Sequence, residues 1–323
     1  MTNSYSVIPN QVTAVIPVYN EERYLREALD SVVDQVDCVI IGDNASTDST
    51  EVICREFAAK FTHIRYIRHE INLGAVENTV RLTELVETEY MMQMGGHDKL
   101  PDNHVSTLKC LLNANSDAVS AYGNCAYLEL DGSISKIQNF ASVRTDMLDD
   151  DPYIRAATFL RGKQPCDLIF GLFRSVSAIP ILLETKQIAG CDHILLITAL
   201  LDGKLVYTSD TTYLRRMMHP NDTDKDYMMR IVGNHSPKKV SRDYTAAGNE
   251  ILNRVWKHHD QQVLSPEKKK AFQKLLFQIA LKFDTPTGNA FWNQIFFGRK
   301  LWRKWCRFIK CKIVPGYADR KNL

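Results

Sequence analysis

Val12-Thr-Ala-Val-Ile-Pro-Val-Tyr-Asn-Glu-Glu22 decides the fold. An apolar, β-branched run of strand length ends in Pro17-Val-Tyr-Asn and gives way at once to a helical pattern. In that pattern Tyr24, Leu25, Ala28, Leu29, Val32 and Val33 fall on one face. This is a buried strand delivering its carboxyl end into a turn, which in an open α/β sheet is where ligands bind.

A second unit of the same kind follows, Asp37-Cys-Val-Ile-Ile-Gly-Asp43 and then Asn44-Ala-Ser-Thr-Asp-Ser-Thr50. Two polar strand ends one crossover apart point to a nucleotide cleft. The first turn lacks Gly-x-Gly-x-x-Gly, which argues against a dinucleotide dehydrogenase. Asp48 and Glu51 have the spacing of a capping box that opens a helix over 48–60. Strands at 64–68, 90–94 and 117–122 alternate with helices at 75–87 and 102–113, the pattern of parallel strands with right-handed crossovers.

Beyond Asn124 the pattern changes. Residues 126–130 and 133–137, with Asp131-Gly132 between them, read as a β-hairpin. Residues 139–161 are polar and contain Asp149-Asp-Asp-Pro152, so we expect a mobile loop there. A strand at 167–173, a helix near 192–201 and strands at 204–207 and 213–217 follow, and from about residue 241 the chain reads as amphipathic helix.

Pro17-Val-Tyr-Asn-Glu-Glu, Asp43-Asn-Ala-Ser-Thr-Asp-Ser-Thr and Asn72-Leu-Gly, in this order and spacing, resemble the nucleotide-binding half of glycosyltransferase family 2. The resemblance covers roughly the first two thirds of the chain. It implies the GT-A fold, a Rossmann-like, mostly parallel α/β sheet flanked by helices, here with a helical carboxyl-terminal extension. The expected division is a catalytic domain over 1–220, with a nucleotide-binding half at about 10–125 and an acceptor half at about 126–220. The extension then covers 221–323.

The resemblance also implies roles. Asp43 would accept hydrogen bonds from a nucleobase, with Pro17, Tyr19, Glu21 and Asn44 beside the base and ribose, and Gly74 and Asn78 completing the block. Asp43-Asn-Ala-Ser-Thr-Asp also reads as an ordinary turn and helix cap. The family places a carboxylate pair for Mg²⁺ or Mn²⁺ after an apolar strand. Here that block is Gly95-Gly-His-Asp98, so Asp98 matches one carboxylate, His97 stands in its neighbour's slot, and Gly95 replaces the first acid. Neutral imidazole is a credible Mn²⁺ ligand and a poor Mg²⁺ ligand, so the change favours manganese or weakens metal binding. Asp192, in Ala189-Gly-Cys-Asp-His193, resembles the family's catalytic base; a helix cap is the plainer reading, and the two are compatible. Arg215, Arg216 and His219 resemble a region able to offset diphosphate charge, and Gly171-Leu-Phe-Arg174 stands where the family floors its acceptor pocket.

Composition bounds this reading. The chain has 323 residues, 45% hydrophobic and 24% charged, with a formal net charge of +2, as for an ordinary globular protein. Eight cysteines are scattered without a Cys-x-x-Cys pair, which argues against a zinc site and fits a reducing compartment. No secretory signal or membrane-spanning run is evident, so a cytoplasmic location is expected. Across 299–312 lie Arg299, Lys300, Arg303, Lys304, Arg307, Lys310 and Lys312, with Leu301, Trp305 and Phe308 on the opposite helical face. That pattern fits peripheral contact with an anionic membrane, or a helix packed on the catalytic domain; no nucleic-acid-binding motif accompanies it.

The sequence is therefore read as an inverting, metal-dependent hexosyltransferase that uses a nucleotide-sugar, a UDP-sugar by expectation. The acceptor would be a saccharide or lipid-linked saccharide in surface polysaccharide biosynthesis. A nucleotide-sugar-binding homologue weakened in catalysis and a nucleotidyltransferase on a similar fold are the alternatives.

Overall fold

The computed structural model describes residues 7–129, 131–138, 146–161, 166–185, 190–216, 245–260 and 265–283. Its frame is one mixed sheet. β1 (Ile8–Val18) lies at the centre of a parallel group with β2 (Cys38–Asp43), β3 (Ile64–Arg68) and β4 (Thr88–Gln93), in the order β3-β2-β1-β4. Val12, Ala14, Val15 and Ile16 are buried, as a strand covered by helices on both faces must be. The crossovers are α1 (Leu25–Val32), α2 (Thr50–Lys60) and α3 (Ala75–Thr83). α1 buries Leu25, Ala28, Leu29 and Val32, the predicted face.

From β1 the chain steps outward to β2 and β3 and then returns to place β4 on the other side of β1. That reversal makes the β1 and β4 carboxyl ends the topological switch point of the sheet, where α/β proteins form their ligand crevice.

After α4 (His104–Asn113) comes β5 (Ala118–Leu128), with β6 (Ile134–Gln138) antiparallel to it as the predicted hairpin. α5 (Pro152–Arg161), β7 (Leu172–Arg174), α6 (Ser175–Leu183), α7 (Cys191–Asp202) and β8 (Lys204–Arg215) complete the sheet region. β7 bridges β4 and β5 antiparallel to both, and β8 runs parallel along β5. α8 (Thr245–Asp260) and α9 (Pro266–Phe283) form the described part of the helical extension. Their buried Ile251, Val255, Leu275 and Ile279 belong to the same apolar cluster as the sheet. Phe272 of α9 meets Tyr153 of α5 edge-on, with ring centroids 5.2 Å apart.

Four local expectations need correction. Residues 139–161 are not loop throughout. Asp151 Oδ1 accepts the Tyr153 N–H at 2.8 Å and Pro152 takes the first helical position, so the Asp-Pro pair starts α5. The expected strand at 167–173 is a 3₁₀ turn, Cys166–Phe170, followed by the three-residue β7. The two strands at 204–207 and 213–217 are one strand, β8, whose pairing shifts register between Tyr122 and Asn124 of β5. Gly123 permits this, since a Cβ there would lie 2.5 Å from the Thr211 carbonyl oxygen. The capping box does not form either: α2 begins at Thr50, and Asp48 accepts the N–H groups of Thr50 and Glu22 instead.

Candidate active site

The switch point gathers the two blocks singled out in the sequence. Pro17 pairs with Gly42 and Val18 with Asp43, so the β1 and β2 ends finish side by side. Asp43 is fully buried. Its Oδ1 accepts the Ser46 N–H at 2.9 Å, and its Oδ2 takes the Tyr66 hydroxyl at 2.8 Å and the Arg68 guanidinium. Burial and the neighbouring Asp43 carboxylate raise the Tyr66 hydroxyl pKa, which keeps it a donor.

Asn44 and Asn78 turn their amides onto backbone. Asn44 donates to the Gly74 carbonyl at 3.1 Å and accepts from the Leu73 N–H at 3.1 Å, while Asn78 donates to the Gly42 carbonyl at 2.7 Å. Gly74 stands at φ 83°, a conformation that glycine adopts without penalty. These residues hold the 72–74 loop and the start of α3 against the end of β2. Tyr19 is half-buried at the same edge.

Beyond β4 the chain turns through Gly95–Asp98, closed by the Asp98 N–H to the Gly95 carbonyl at 3.1 Å. His97 Nδ1 lies 3.0 Å from Glu21 Oε1, which joins the Pro17–Glu22 block to the Gly95–Asp98 block across the switch point. Asp98 is 1% exposed and doubly anchored: its Oδ2 accepts the Tyr213 hydroxyl at 2.7 Å and its Oδ1 the Arg216 N–H at 2.9 Å. Burial, with the Asp98 charge adding to it, raises Tyr213 well above the ordinary phenol range, so it donates. A two-bond bridge between Lys99 and Leu214 stitches the loop to the end of β8.

The two arginines expected to meet a diphosphate are held by the protein itself. Arg215 pairs with Asp167 and lies over Phe170, whose ring stacks on Tyr213 at 4.8 Å. Arg216 donates to the His97 carbonyl at 2.6 Å and to Glu27 at 2.5 Å, and sits 4.1 Å from the Tyr24 ring centroid. Arg174 donates to the Ala118 and Leu112 carbonyls at 2.9 and 2.8 Å. His219 and the 299–312 segment lie outside the described residues.

Asp192 is the second residue of α7, in its first turn, after Gly190 in the cap position. Its Oδ1 lies 3.1 Å from His193 Nδ1.

Among the described residues no group of three or more His, Cys, Asp or Glu side chains converges to hold a metal ion. A two-ligand half-site does fit. His97 Nε2 faces Asp98 Oδ1 across 3.8 Å, a separation that two ligands of one cation span. A Cβ on Gly95 would fill part of that space, 2.6 Å from Asp98 Oδ2 and 3.5 Å from His97 Nε2. The missing side chain at 95 thus opens the cradle, and the remaining coordination positions would fall to water and phosphate oxygens.

Sequence reasoning missed Tyr213 as the anchor of Asp98, Glu27 as the partner of Arg216, and Tyr66 and Arg68 beneath Asp43. Only Arg68, a charge at the end of an apolar strand, carried a local signal.

This architecture is the GT-A fold. A Staphylococcus aureus TarS fragment bound to UDP-GlcNAc superposes with a TM-score of 0.58 at 12% identity, over 90% of this chain and 77% of that one. A mannosyltransferase from Pyrobaculum calidifontis, in complex with GDP-Man and Mn²⁺, gives 0.50 at 13% identity over 98% and 86%. Residues 13–161, a little under half of the chain, match the model of glycosyl transferase family 2. Glycosyltransferase GlyA of Streptococcus pneumoniae is 33% identical over 107 residues, 32% of this chain and 15% of the relative. Abequosyltransferase RfbV of Salmonella typhimurium is 32% identical over 112 residues, 33% and 34% respectively. The chain thus matches about a third or less of the length of these two curated relatives.

Proposed function

We propose that the protein is an inverting glycosyltransferase that moves a sugar from a nucleotide-sugar to a saccharide or lipid-linked saccharide. The observation that carries this reading is the meeting of Glu21, His97 and Asp98 at the switch point of a family 2 domain. A UDP-sugar is the proposed donor, in keeping with the UDP-GlcNAc held by the TarS neighbour. Relatives named as an abequosyltransferase and a teichoic acid polymerase favour surface polysaccharide as the setting.

In the proposed step the acceptor hydroxyl attacks the anomeric carbon as the bond to the diphosphate oxygen breaks, with inversion. Asp192, at the start of α7, takes the hydroxyl proton. Pro17, Tyr19 and Asp43 border the base and ribose, on the wall that Asn44, Gly74 and Asn78 keep in place. His97 and Asp98 would hold a divalent cation, Mn²⁺ in preference to Mg²⁺. Bound there, the cation would neutralise charge on the departing diphosphate.

No described helix is long and apolar enough to cross a membrane. The basic, aromatic 299–312 segment supports peripheral contact with an anionic inner membrane face, and a cytoplasmic location belongs to the same proposal.

Purified protein offered a panel of nucleotide-sugars should release nucleoside diphosphate from one of them in the presence of an acceptor. Binding of a nucleotide-sugar without release, across donors and acceptors, would move the chain to the binding-homologue reading.

A further inference from the structure

Glu21 stands in the block that the family resemblance assigns to the nucleotide, yet its carboxylate points elsewhere. It is 4% exposed, and Oε1 sits 3.0 Å from His97 Nδ1. The backbone on either side is pinned. The Glu21 N–H donates to Thr50 Oγ1 at 2.7 Å, and the Glu21 carbonyl accepts the N–H groups of Tyr24 and Leu25 at 3.1 and 3.0 Å. The facing loop comes close because residue 96 is glycine; a Cβ there would lie 2.7 Å from Val18 Cγ1 and 3.2 Å from Glu21 Cγ.

A carboxylate accepts hydrogen bonds and does not donate them, so its partner nitrogen Nδ1 must carry the imidazole proton. In the neutral imidazole Nε2 then presents a lone pair, and it is Nε2 that faces Asp98 Oδ1 at 3.8 Å. A carboxylate behind a histidine whose other nitrogen points into a cation cradle is how proteins fix the tautomer and ring plane of a metal-binding imidazole.

We propose that Glu21 is a positioning residue for the His97–Asp98 cation site and contributes nothing to nucleotide affinity. It holds His97 in the Nδ1–H tautomer and aims Nε2 at the gap shared with Asp98. The proposal rests on reading that gap as a cation site. It also says why a histidine can replace the family's carboxylate at position 97: the negative charge lost from the cradle is supplied from behind the ring. A nitrogen and a carboxylate oxygen form a donor set suited to Mn²⁺ and ill suited to Mg²⁺.

The test uses the full chain and two probes, Mn²⁺ and UDP. Free Mn²⁺ is followed by electron paramagnetic resonance with UDP present, and UDP binding by calorimetry in chelator. The unmodified protein should take up Mn²⁺, and His97→Ala should abolish uptake. Glu21→Gln and Glu21→Asp should weaken it about 10- to 100-fold, the usual effect of removing such a support. The Asp variant keeps the charge but withdraws it from the ring, so it separates contact from charge. UDP affinity in chelator should be equal in all four proteins. Nitrogen-15 spectra of the metal-free protein should show the Nδ1–H tautomer at His97, altered in Glu21→Asp. Unchanged Mn²⁺ uptake in both Glu21 variants, alongside loss in His97→Ala, would overturn the positioning role and leave the cation site standing. Failure of the unmodified protein to take up Mn²⁺ would overturn the cation site itself. Loss of UDP affinity in chelator on Glu21→Gln would return Glu21 to the nucleotide.

Discussion

The hydroxyl of Tyr213 donates to Asp98 at 2.7 Å across a separation of 115 positions, tying the loop after β4 to the end of β8. The same oxygen receives the Gly95 N–H at 3.3 Å, so one phenol holds both ends of the Gly95–Asp98 turn. Tyr213→Phe removes a donor to a buried carboxylate and an acceptor for a backbone amide. We expect a loss of about 1–3 kcal/mol in stability by thermal or urea unfolding. Transfer should fall as well, since Asp98 loses its orientation; a variant equal to the parent in both measurements would show that Arg216 N–H alone secures Asp98.

Gly95→Asp should not restore the family's first carboxylate. Its Cβ would have to sit 2.6 Å from Asp98 Oδ2, so Asp98 must swing away from Tyr213 and Arg216. Mn²⁺ uptake should drop about tenfold or more, and Gly95→Ala should cause most of the same loss. Tighter uptake in the Asp variant would contradict the cradle geometry.

Asp192→Asn should leave donor KM nearly unchanged while lowering kcat by about 10²–10⁴-fold, because a general base acts on the acceptor. A kcat within a few-fold of the parent would shift the role to His193, 3.1 Å away.

Stability should depend on pH through His104. The side chain is buried, Nδ1 bonds Thr211 Oγ1 at 2.7 Å, Nε2 has no hydrogen-bond partner among the described residues, and burial lowers its pKa to about 4. Below the unfolded value of 6.5 the unfolded chain binds a proton that the folded chain refuses. Stability should therefore rise between pH 4 and 6.5, by up to about 3 kcal/mol, and level off above. Urea unfolding at pH 5 and pH 7 measures this. The difference between the two pH values should shrink in His104→Gln, which cannot protonate.

β1, β2 and β4 were legible because parallel strands buried on both faces appear as near-continuous apolar runs between helical patterns. β3, an edge strand with Arg65 and Arg68 exposed, was legible through its place in the alternation. The hairpin showed itself through Asp131-Gly132, with Gly132 at φ 84°. The rest depended on long-range pairing. β7 is three residues long, too short for any period, and it exists because β4 and β5 each offer an edge. The start of α5 did carry a signal, Asp151-Pro152, masked by the acidic run around it. Arg155 of α5 donates to the carbonyls of Leu200 and Leu201 at the end of α7, a pairing that no local pattern announces. In the site, the blocks were visible and their contacts were not. Glu21 and His97 lie 76 positions apart, and only the order of strands brings them together.

Asn44 grips the 72–74 loop by main-chain atoms alone, the Leu73 N–H and the Gly74 carbonyl. A grip of that kind is indifferent to which side chains the loop carries. Exposed Ile71 and partly exposed Leu73 are therefore free to drift under mutation while the frame at the carboxyl end of β2 keeps its shape. Selection, or a designer, can explore the exposed positions of this loop by point substitution, with Asn44, Gly74 and the buried Asn72, whose Oδ1 accepts the Gly74 N–H at 2.9 Å, left unchanged as the fixed frame.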